Sequence, residues 1–217
     1  MKRSNLNGLY ALTPDEPDTV ALLARVQEAI IGGARVVQYR HKGAAWQLKF
    51  EQAKALVTLC RAHQVPLIVN DDLALALAVD ADGLHLGAQD GSLMEARRQL
   101  GPDKWLGASC YAQIELAEQA IAKGADHVAF GSFFASQVKP GAVRPPVQLL
   151  VAARRLKVPV VAIGGITLSN AKSLITAGAD CLAVITALFS APDVAAVARQ
   201  FTDLFKSEGH ETKSKTL

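Results

Sequence analysis

Val158–Ile163 reads VPVVAI, six consecutive residues without a polar side chain, and the pair Gly164-Gly165 follows directly. Such a continuous apolar run is typical of a strand in a parallel sheet that helices cover on both faces. Seven similar short runs occur elsewhere in the chain, and longer Ala-rich segments with helical spacing follow them. This alternation predicts repeated strand–helix units on a parallel sheet. The predicted strands are Gly8–Leu12, Arg35–Arg40, Val65–Asn70, Gly83–Leu86, Trp105–Ser109, His127–Gly131, Pro159–Gly164 and Cys181–Thr186.

The joints between predicted helices and strands resemble one another. KGAD at Lys123–Asp126 and AGAD at Ala177–Asp180 each place Gly where a helix ends, just before a strand. Eight such units in about 205 residues predict a single (β/α)8 TIM barrel at the small end of its size range. A doubly wound open sheet is the alternative, but Thr13–Pro17 after the first strand contains no dinucleotide-binding glycine motif.

We expect residues 1–205 to form the catalytic barrel domain, with a last helix over Asp193–Phe205. The polar segment 206–217 lacks periodicity and is predicted to be a disordered tail.

The composition excludes several classes of protein. Half of the 217 residues are hydrophobic, which excludes a disordered chain. No window of about 18 apolar residues is free of charge, so we expect no membrane partner, and the first residues do not resemble a secretory signal. The three cysteines lie far apart, which argues against a disulfide framework and fits a cytoplasmic location.

The net charge of +3 lies at the two ends of the chain. Lys2 and Arg3 precede the barrel, and the tail from Lys206 carries three lysines and two glutamates. Between these ends, 18 basic residues balance 18 acidic residues. The barrel is therefore formally neutral, and we expect no nucleic-acid partner.

Polar residues at the carboxyl ends of the strands are the candidate site residues, because that end carries the active site of a TIM barrel. Gln38, Arg40 and Lys42 alternate at the end of the second strand and so share one face. An amide and two cations that converge in this way are suited to a polyanion such as a diphosphate. The alternative is an exposed strand end with ordinary surface charge.

Two carboxylates follow the third and fourth strands, at Asp71 and Asp90. Beside the cations of the second strand they suggest Mg²⁺, which is commonly bound by one or two carboxylates, phosphate oxygens and water. Either residue could instead cap a helix; we expect Asp72 to be the cap and Asp71 the ligand. Ser109, at the end of the fifth strand, is either a hydrogen-bond donor to the ligand or a helix cap. His85 and His127 are expected to be core or edge histidines.

The last three strands lead into glycine-rich connections. The long segment Gly131–Pro146 is a candidate lid, in which Ser136 and Lys139 could close over an anion. A Schiff-base role for Lys139 is the alternative, although a solvated loop disfavours it. Gly164-Gly165 and the loop after the eighth strand match the usual phosphate site of barrels, or a tight turn alone.

Seven segments together resemble the thiamine-phosphate synthase family. In order they are VQYRHK, VNDDLALAL, GLHLGAQD, GASCY, FGSFFASQVKPG, VPVVAIGGIT and LAVITALF, and they span the chain from about Gly8 to Phe205. The family is a (β/α)8 barrel that joins 4-amino-2-methyl-5-hydroxymethylpyrimidine diphosphate to a thiazole phosphate, with Mg²⁺, and releases pyrophosphate.

The resemblance assigns a role to each candidate residue. It implies that the pyrimidine diphosphate is bound by Gln38, Arg40, Lys42, Asn70, Ser109 and Lys139, with Arg40, Lys42, Ser109 and Lys139 acting in catalysis. It implies Mg²⁺ at Asp71 and Asp90, and the thiazole phosphate at Ser136, Gly165, Ile185 and Thr186. The chain departs from the family pattern at Ala88, Ala135 and Val138, all in loops.

Two other functions are compatible with a phosphate-binding barrel of this kind. A related thiazole tautomerase would need the phosphate glycines and an acid–base residue, but not the diphosphate cations and the paired aspartates. Loss of Asp71 or Lys42 would have indicated a non-catalytic thiazole-phosphate-binding barrel, and both residues are present. The candidate residues therefore favour the synthase, while the sequence leaves open whether the barrel forms a homo-oligomer.

Overall fold

Eight parallel strands close into a barrel in the computed structural model, which describes residues 6–135 and 144–214, with side chains described as far as Lys206. Each strand pairs with its neighbours in the sequence, and β8 pairs with β1 to complete the ring. The predicted TIM barrel is therefore confirmed. The strands are β1 Gly8–Leu12, β2 Val36–Tyr39, β3 Leu67–Asn70, β4 Gly83–Leu86, β5 Trp105–Tyr111, β6 His127–Gly131, β7 Val160–Ile163 and β8 Cys181–Val184.

Helices surround the barrel, and most of them follow the predicted alternation. The helices are α1 Thr19–Ile31, α2 Trp46–Ala62, α3 Leu73–Ala78, α4 Leu93–Leu100, α5 Ile114–Ala122, α6 Gln148–Ala153, α7 Leu168–Ala177, α8 Thr186–Phe189 and α9 Val194–Ser214. None of the helices in the described ranges has the length and hydropathy that a membrane crossing requires.

The apolar core has two parts, one on each side of the barrel wall. The larger part lies between strands and helices, where residues such as Leu9, Leu67 and Leu84 are fully buried. The smaller part lies inside the barrel and contains Tyr10, Val36, Ile68, Trp105, Val161 and Cys181. Since strand side chains alternate, one set faces the helices and the other fills the lower barrel. The upper barrel is left open for polar side chains.

Of the three aspartates considered as helix caps, only Asp72 has that role. Asp72 accepts a hydrogen bond from the backbone N–H of Leu75 at 2.9 Å and caps α3, as predicted. Ser92, and not Asp90, caps α4. Asp71 and Asp90 are therefore not employed as helix caps.

Two helical features differ from the sequence prediction. The four-residue helix α8 was not expected, because a single turn is too short to show helical periodicity. Helix α9 continues past Phe205 to Ser214, so the backbone of 206–214 is helical where a disordered tail was predicted. The part of a helix that extends beyond the barrel needs no apolar face, so the apolar pattern does not mark it. An i,i+3 ion pair between Asp203 and Lys206, at 2.8 Å, supports the helix where it passes Phe205.

Candidate active site

A cavity of about 910 Å³ occupies the upper barrel, at the carboxyl ends of the strands. It is lined by every candidate site residue that lies within the described ranges: Gln38, Arg40, Lys42, Asn70, Asp71, Asp90, Ser109, Gly165, Ile185 and Thr186. Ser136, Lys139 and the departure Val138 lie outside the described residues. Residues from six strand ends thus meet around one space, as the parallel topology requires.

A chain of hydrogen bonds runs across the ends of β2 and β3. Gln38 is 5% exposed, and its Nε2 donates to Oδ1 of Asn70 at 2.6 Å. The Asn70 amide also lies close enough to the Asp71 carboxyl group to lower its pKa. Each amide is held by its neighbour, so both side chains are oriented before a ligand arrives.

The carboxyl groups of Asp71 and Asp90 are neighbours, and Asp90 helps to raise the pKa of Asp71. Asp71 has a positive φ of 63°, a conformation that Asp and Asn tolerate better than most residues. Oδ2 of Asp90 accepts the backbone N–H of Gly87 at 3.0 Å. Burial and then the contact with Asp90 raise the pKa of Asp71 to about 6, while Lys42 and Asn70 act in the opposite direction.

This pair of carboxyl groups fits a divalent cation. Two adjacent carboxylates repel each other, and a shared proton or a bound cation relieves the repulsion. Within the described residues, no cluster of three or more His, Cys, Asp or Glu side chains could hold a metal by itself. Mg²⁺ commonly takes one or two carboxylates and completes its shell with water and substrate phosphate oxygens. The donor set therefore fits Mg²⁺ that binds together with a phosphorylated substrate.

Two cations border the cavity beside this pair. The Arg40 side chain is 13% exposed and pairs with Asp15 on the loop after β1. Lys42 is exposed, and its charge acts on the Asp71 carboxylate. Sequence reasoning missed Asp15, because the contact joins two loops that are 25 residues apart in the chain.

The lower wall of the cavity contains histidines that the sequence assigned to the core. Ser109 lies within β5, and its Oγ is 2.9 Å from Nε2 of His85 on β4, so Ser109 is not a helix cap. Tyr10 and His127 are buried at the base of the cavity. Within the described residues, the Tyr10 hydroxyl and both His127 nitrogens have no hydrogen-bond partner.

Burial lowers the pKa of His127 to about 4, which favours the neutral ring. Strand alternation could have indicated that these histidines face inward, but not that His127 lacks a polar neighbour.

Backbone groups form the opposite side of the cavity, at the ends of β7 and β8. Gly164 and Gly165 have φ values of +102° and +61°. A Cβ at Gly165 would overlap the carbonyl oxygen of Ala135, so the loop after β6 packs directly against this turn. None of the described residues that line this side of the cavity is Lys or Arg. An anion here would have to be held by backbone N–H groups and hydroxyls.

Comparison with known proteins identifies the family. The family model described as thiamine monophosphate synthase matches residues 9–188. The chain belongs to the thiamine monophosphate synthase family. The thiamine-phosphate synthase of Methylobacillus flagellatus is 54% identical over 200 residues, which cover 92% of this chain and 96% of the relative. That of Thiobacillus denitrificans is 54% identical over 205 residues, covering 94% and 97%.

A solved structure of the same family has the same architecture. Thiamine phosphate pyrophosphorylase from Pyrococcus furiosus superimposes with a TM-score of 0.83 at 33% identity, covering 94% of this chain and 98% of that one. The resemblance seen in the sequence is therefore confirmed over nearly the whole barrel.

Proposed function

We propose that this chain is a thiamine-phosphate synthase, a transferase that joins a pyrimidine diphosphate to a thiazole phosphate and releases pyrophosphate. Membership of the family and the names of its relatives support this activity. The observation that carries the proposal is that one cavity holds cations from β2, paired carboxylates after β3 and β4, and a glycine turn after β7. The first two groups suit a diphosphate and the third suits a separate phosphate.

The diphosphate would lie beside β2, where Arg40 and Lys42 border the cavity. Arg40 can offer two parallel N–H donors and Lys42 a point charge. By family resemblance, Lys139 would add a further cation from the loop after β6. Gln38, Asn70 and Ser109 would bind the same substrate and hold it in one orientation, since each is already fixed by a neighbour.

Mg²⁺ would be held by Asp71 and Asp90, and when bound it supplies positive charge to the diphosphate oxygens. The protein residues act on the same charge. As the CH₂–O bond breaks, its electron pair moves to the leaving pyrophosphate, where Arg40 and Lys42 stabilise it in place. The aminopyrimidine ring donates electrons to the cationic CH₂ carbon that remains.

The new C–N bond forms when the thiazole nitrogen attacks that carbon with its lone pair. This nitrogen carries no proton, so the step needs no general base. Gly165, Ile185 and Thr186, with Ser136 by family resemblance, would hold the thiazole phosphate so that the nitrogen faces the CH₂ carbon. Bringing the two substrates together in this way contributes to catalysis by proximity.

We further propose that the enzyme acts on small molecules in the cytoplasm. The three cysteines are buried and unpaired, which supports a reducing compartment.

A turnover assay separates the synthase from the two alternatives. The purified protein is incubated with pyrimidine diphosphate, thiazole phosphate and Mg²⁺, and pyrophosphate is measured. We expect release only when both substrates are present, and strong reduction in Lys139→Ala and Asp71→Ala. Isomerisation of the thiazole phosphate without pyrophosphate release would instead indicate a tautomerase, and binding without any reaction would indicate a phosphate-binding barrel.

A further inference from the structure

One carboxylate oxygen of Asp15 contacts two parts of the diphosphate-binding segment. Oδ1 of Asp15 accepts from Nη1 of Arg40 at 3.0 Å and from the backbone N–H of Lys42 at 3.1 Å. Asp15 lies on the loop between β1 and α1, whereas Arg40 and Lys42 follow β2. The loop after β1 therefore holds both the guanidinium and the backbone of the neighbouring strand end.

Thr13 fixes the same segment from below. It is fully buried, and its hydroxyl accepts the backbone N–H of Arg40 at 2.9 Å and donates to the Arg40 carbonyl at 3.0 Å. The Thr13 N–H also donates to the carbonyl of Gln38 at 3.0 Å, which extends the contact of β1 with β2 past the last paired residues. The backbone of Arg40 is thus held by Thr13 while its side chain is held by Asp15.

A contribution to folding stability does not explain why Asp15 pairs with Arg40. Arg40 is 13% exposed but Asp15 is 45% exposed, and ion pairs with one solvated partner contribute little to folding. A carboxylate beside an anion site also opposes the anion electrostatically. A geometric role accounts for its presence: Arg has five N–H donors, and Asp15 uses one of them in the contact described. Within the described residues no other partner of the Arg40 guanidinium is found, so its other donors can reach a ligand.

Fixing a long cationic side chain before the ligand binds strengthens binding. A free Arg side chain loses rotamer entropy when a ligand fixes it, and that loss weakens binding. If Asp15 and Thr13 fix Arg40 in the free enzyme, the diphosphate meets an ordered guanidinium and an ordered Lys42 backbone.

We propose that Asp15, together with Thr13, is a positioning residue pair that presets Arg40 and Lys42 for the diphosphate of the substrate. This inference rests on the proposed function and adds to it two residues that need not touch the substrate. If the inference is correct, the loop after β1 affects the binding of pyrimidine diphosphate and not the binding of thiazole phosphate.

Steady-state kinetics of Asp15→Ala and Asp15→Asn test the proposal. We expect Asp15→Ala to raise the KM for pyrimidine diphosphate about tenfold, equivalent to about 1.4 kcal/mol of binding free energy, with the KM for thiazole phosphate unchanged. Asp15→Asn keeps an oxygen acceptor and should recover much of the loss. Glu118→Ala, which breaks the exposed Glu118–Arg155 pair on the outer helices, is the matched control and should change neither KM.

A double-mutant cycle isolates the route through Arg40. In an Arg40→Gln background, removal of the Asp15 carboxylate should raise the KM for pyrimidine diphosphate by clearly less than tenfold, because only its contact with the Lys42 backbone is then lost. Thr13→Ser, which keeps the hydroxyl, should retain more affinity than Thr13→Val. Calorimetric titration with inorganic pyrophosphate and Mg²⁺ gives a second readout that does not depend on turnover, and Asp15→Ala should weaken that binding.

Specific outcomes would overturn the inference. A lower KM for pyrimidine diphosphate in Asp15→Ala would show that the carboxylate acts only by repulsion. Equal effects on both substrates, or an undiminished effect in the Arg40→Gln background, would show a general structural role. If the wild-type enzyme formed no thiamine phosphate, the proposed function would fail instead, and pyrophosphate titration would still test the positioning of Arg40.

Discussion

Replacement of Asp71 by Asn should raise the stability of the protein while it abolishes Mg²⁺-dependent activity. The pKa of Asp71 is raised from 3.8 in the unfolded chain to about 6 in the folded protein. Its carboxyl group therefore does not affect the free energy of unfolding below pH 3.8. It lowers that free energy increasingly between pH 3.8 and 6, and by a constant amount above pH 6. If the carboxyl group were fully buried, this rise in pKa would lower the free energy of unfolding by about 3 kcal/mol. Since Asp71 is only half-buried, solvent screening reduces the gain expected in Asp71→Asn to about 1 kcal/mol above pH 6.

The backbone should accept this change, because Asn is also tolerated at the positive φ of Asp71. Thermal unfolding at pH 7.5 should show a Tm about 2–4 °C higher in the variant, and the difference should disappear near pH 4. Mg²⁺ should stabilise the wild type, by about 1.4 kcal/mol at ten times its Kd, and should have a much smaller effect on the variant. Asp72→Asn, which keeps a capping side chain, is the adjacent control and should alter neither property.

Two results would refute this reasoning about the carboxylate pair. A variant that is less stable than the wild type at pH 7.5 would show that the Asp71 carboxylate is stabilised, and not destabilised, by its surroundings. Equal stabilisation of both proteins by Mg²⁺ would place the cation elsewhere.

Three further substitutions test separate parts of the site. Lys42→Met should raise the KM for pyrimidine diphosphate about tenfold and reduce its dependence on ionic strength, because an exposed cation is screened by salt; an unchanged KM would exclude Lys42 from the diphosphate site. Gly165→Ala should raise the KM for thiazole phosphate and lower the Tm, because the new Cβ would meet the carbonyl of Ala135 at a positive φ; kinetics and thermal unfolding check both effects. Asp72→Ala should lower the free energy of unfolding by about 1 kcal/mol by removing the bond to Leu75, with kcat unchanged, and a fall in kcat would contradict a purely capping role.

The barrel could be predicted from the sequence because its strands are buried on both faces. VPVVAI has no polar residue, and β7 forms within it at Val160–Ile163. Short or solvent-facing helices give a weaker signal, since one turn has no period and a helix outside the barrel needs no apolar stripe. Those two conditions describe α8 and the end of α9, the features that the sequence did not predict.

The cavity could be predicted in the same way, because parallel strands place their carboxyl ends at one edge. Gln38, Asn70 and Asp71 are such strand-end residues, and they meet as expected. The contact of Asp15 with Arg40 depends on how two loops fold back on each other, and no local pattern encodes it. For His127, the pattern shows an apolar strand but cannot show that both ring nitrogens lack a partner among the described residues.

The central claim is that this chain breaks the CH₂–O bond of a pyrimidine diphosphate and joins the carbon to a thiazole nitrogen. Pyrimidine diphosphate labelled with ¹⁸O at the oxygen between CH₂ and phosphorus tests it directly, with thiazole phosphate, Mg²⁺ and the purified enzyme. The account predicts equal amounts of thiamine phosphate and pyrophosphate, with the label in the pyrophosphate. Label found in a pyrimidine alcohol, or an absence of thiamine phosphate with both substrates bound, would contradict it.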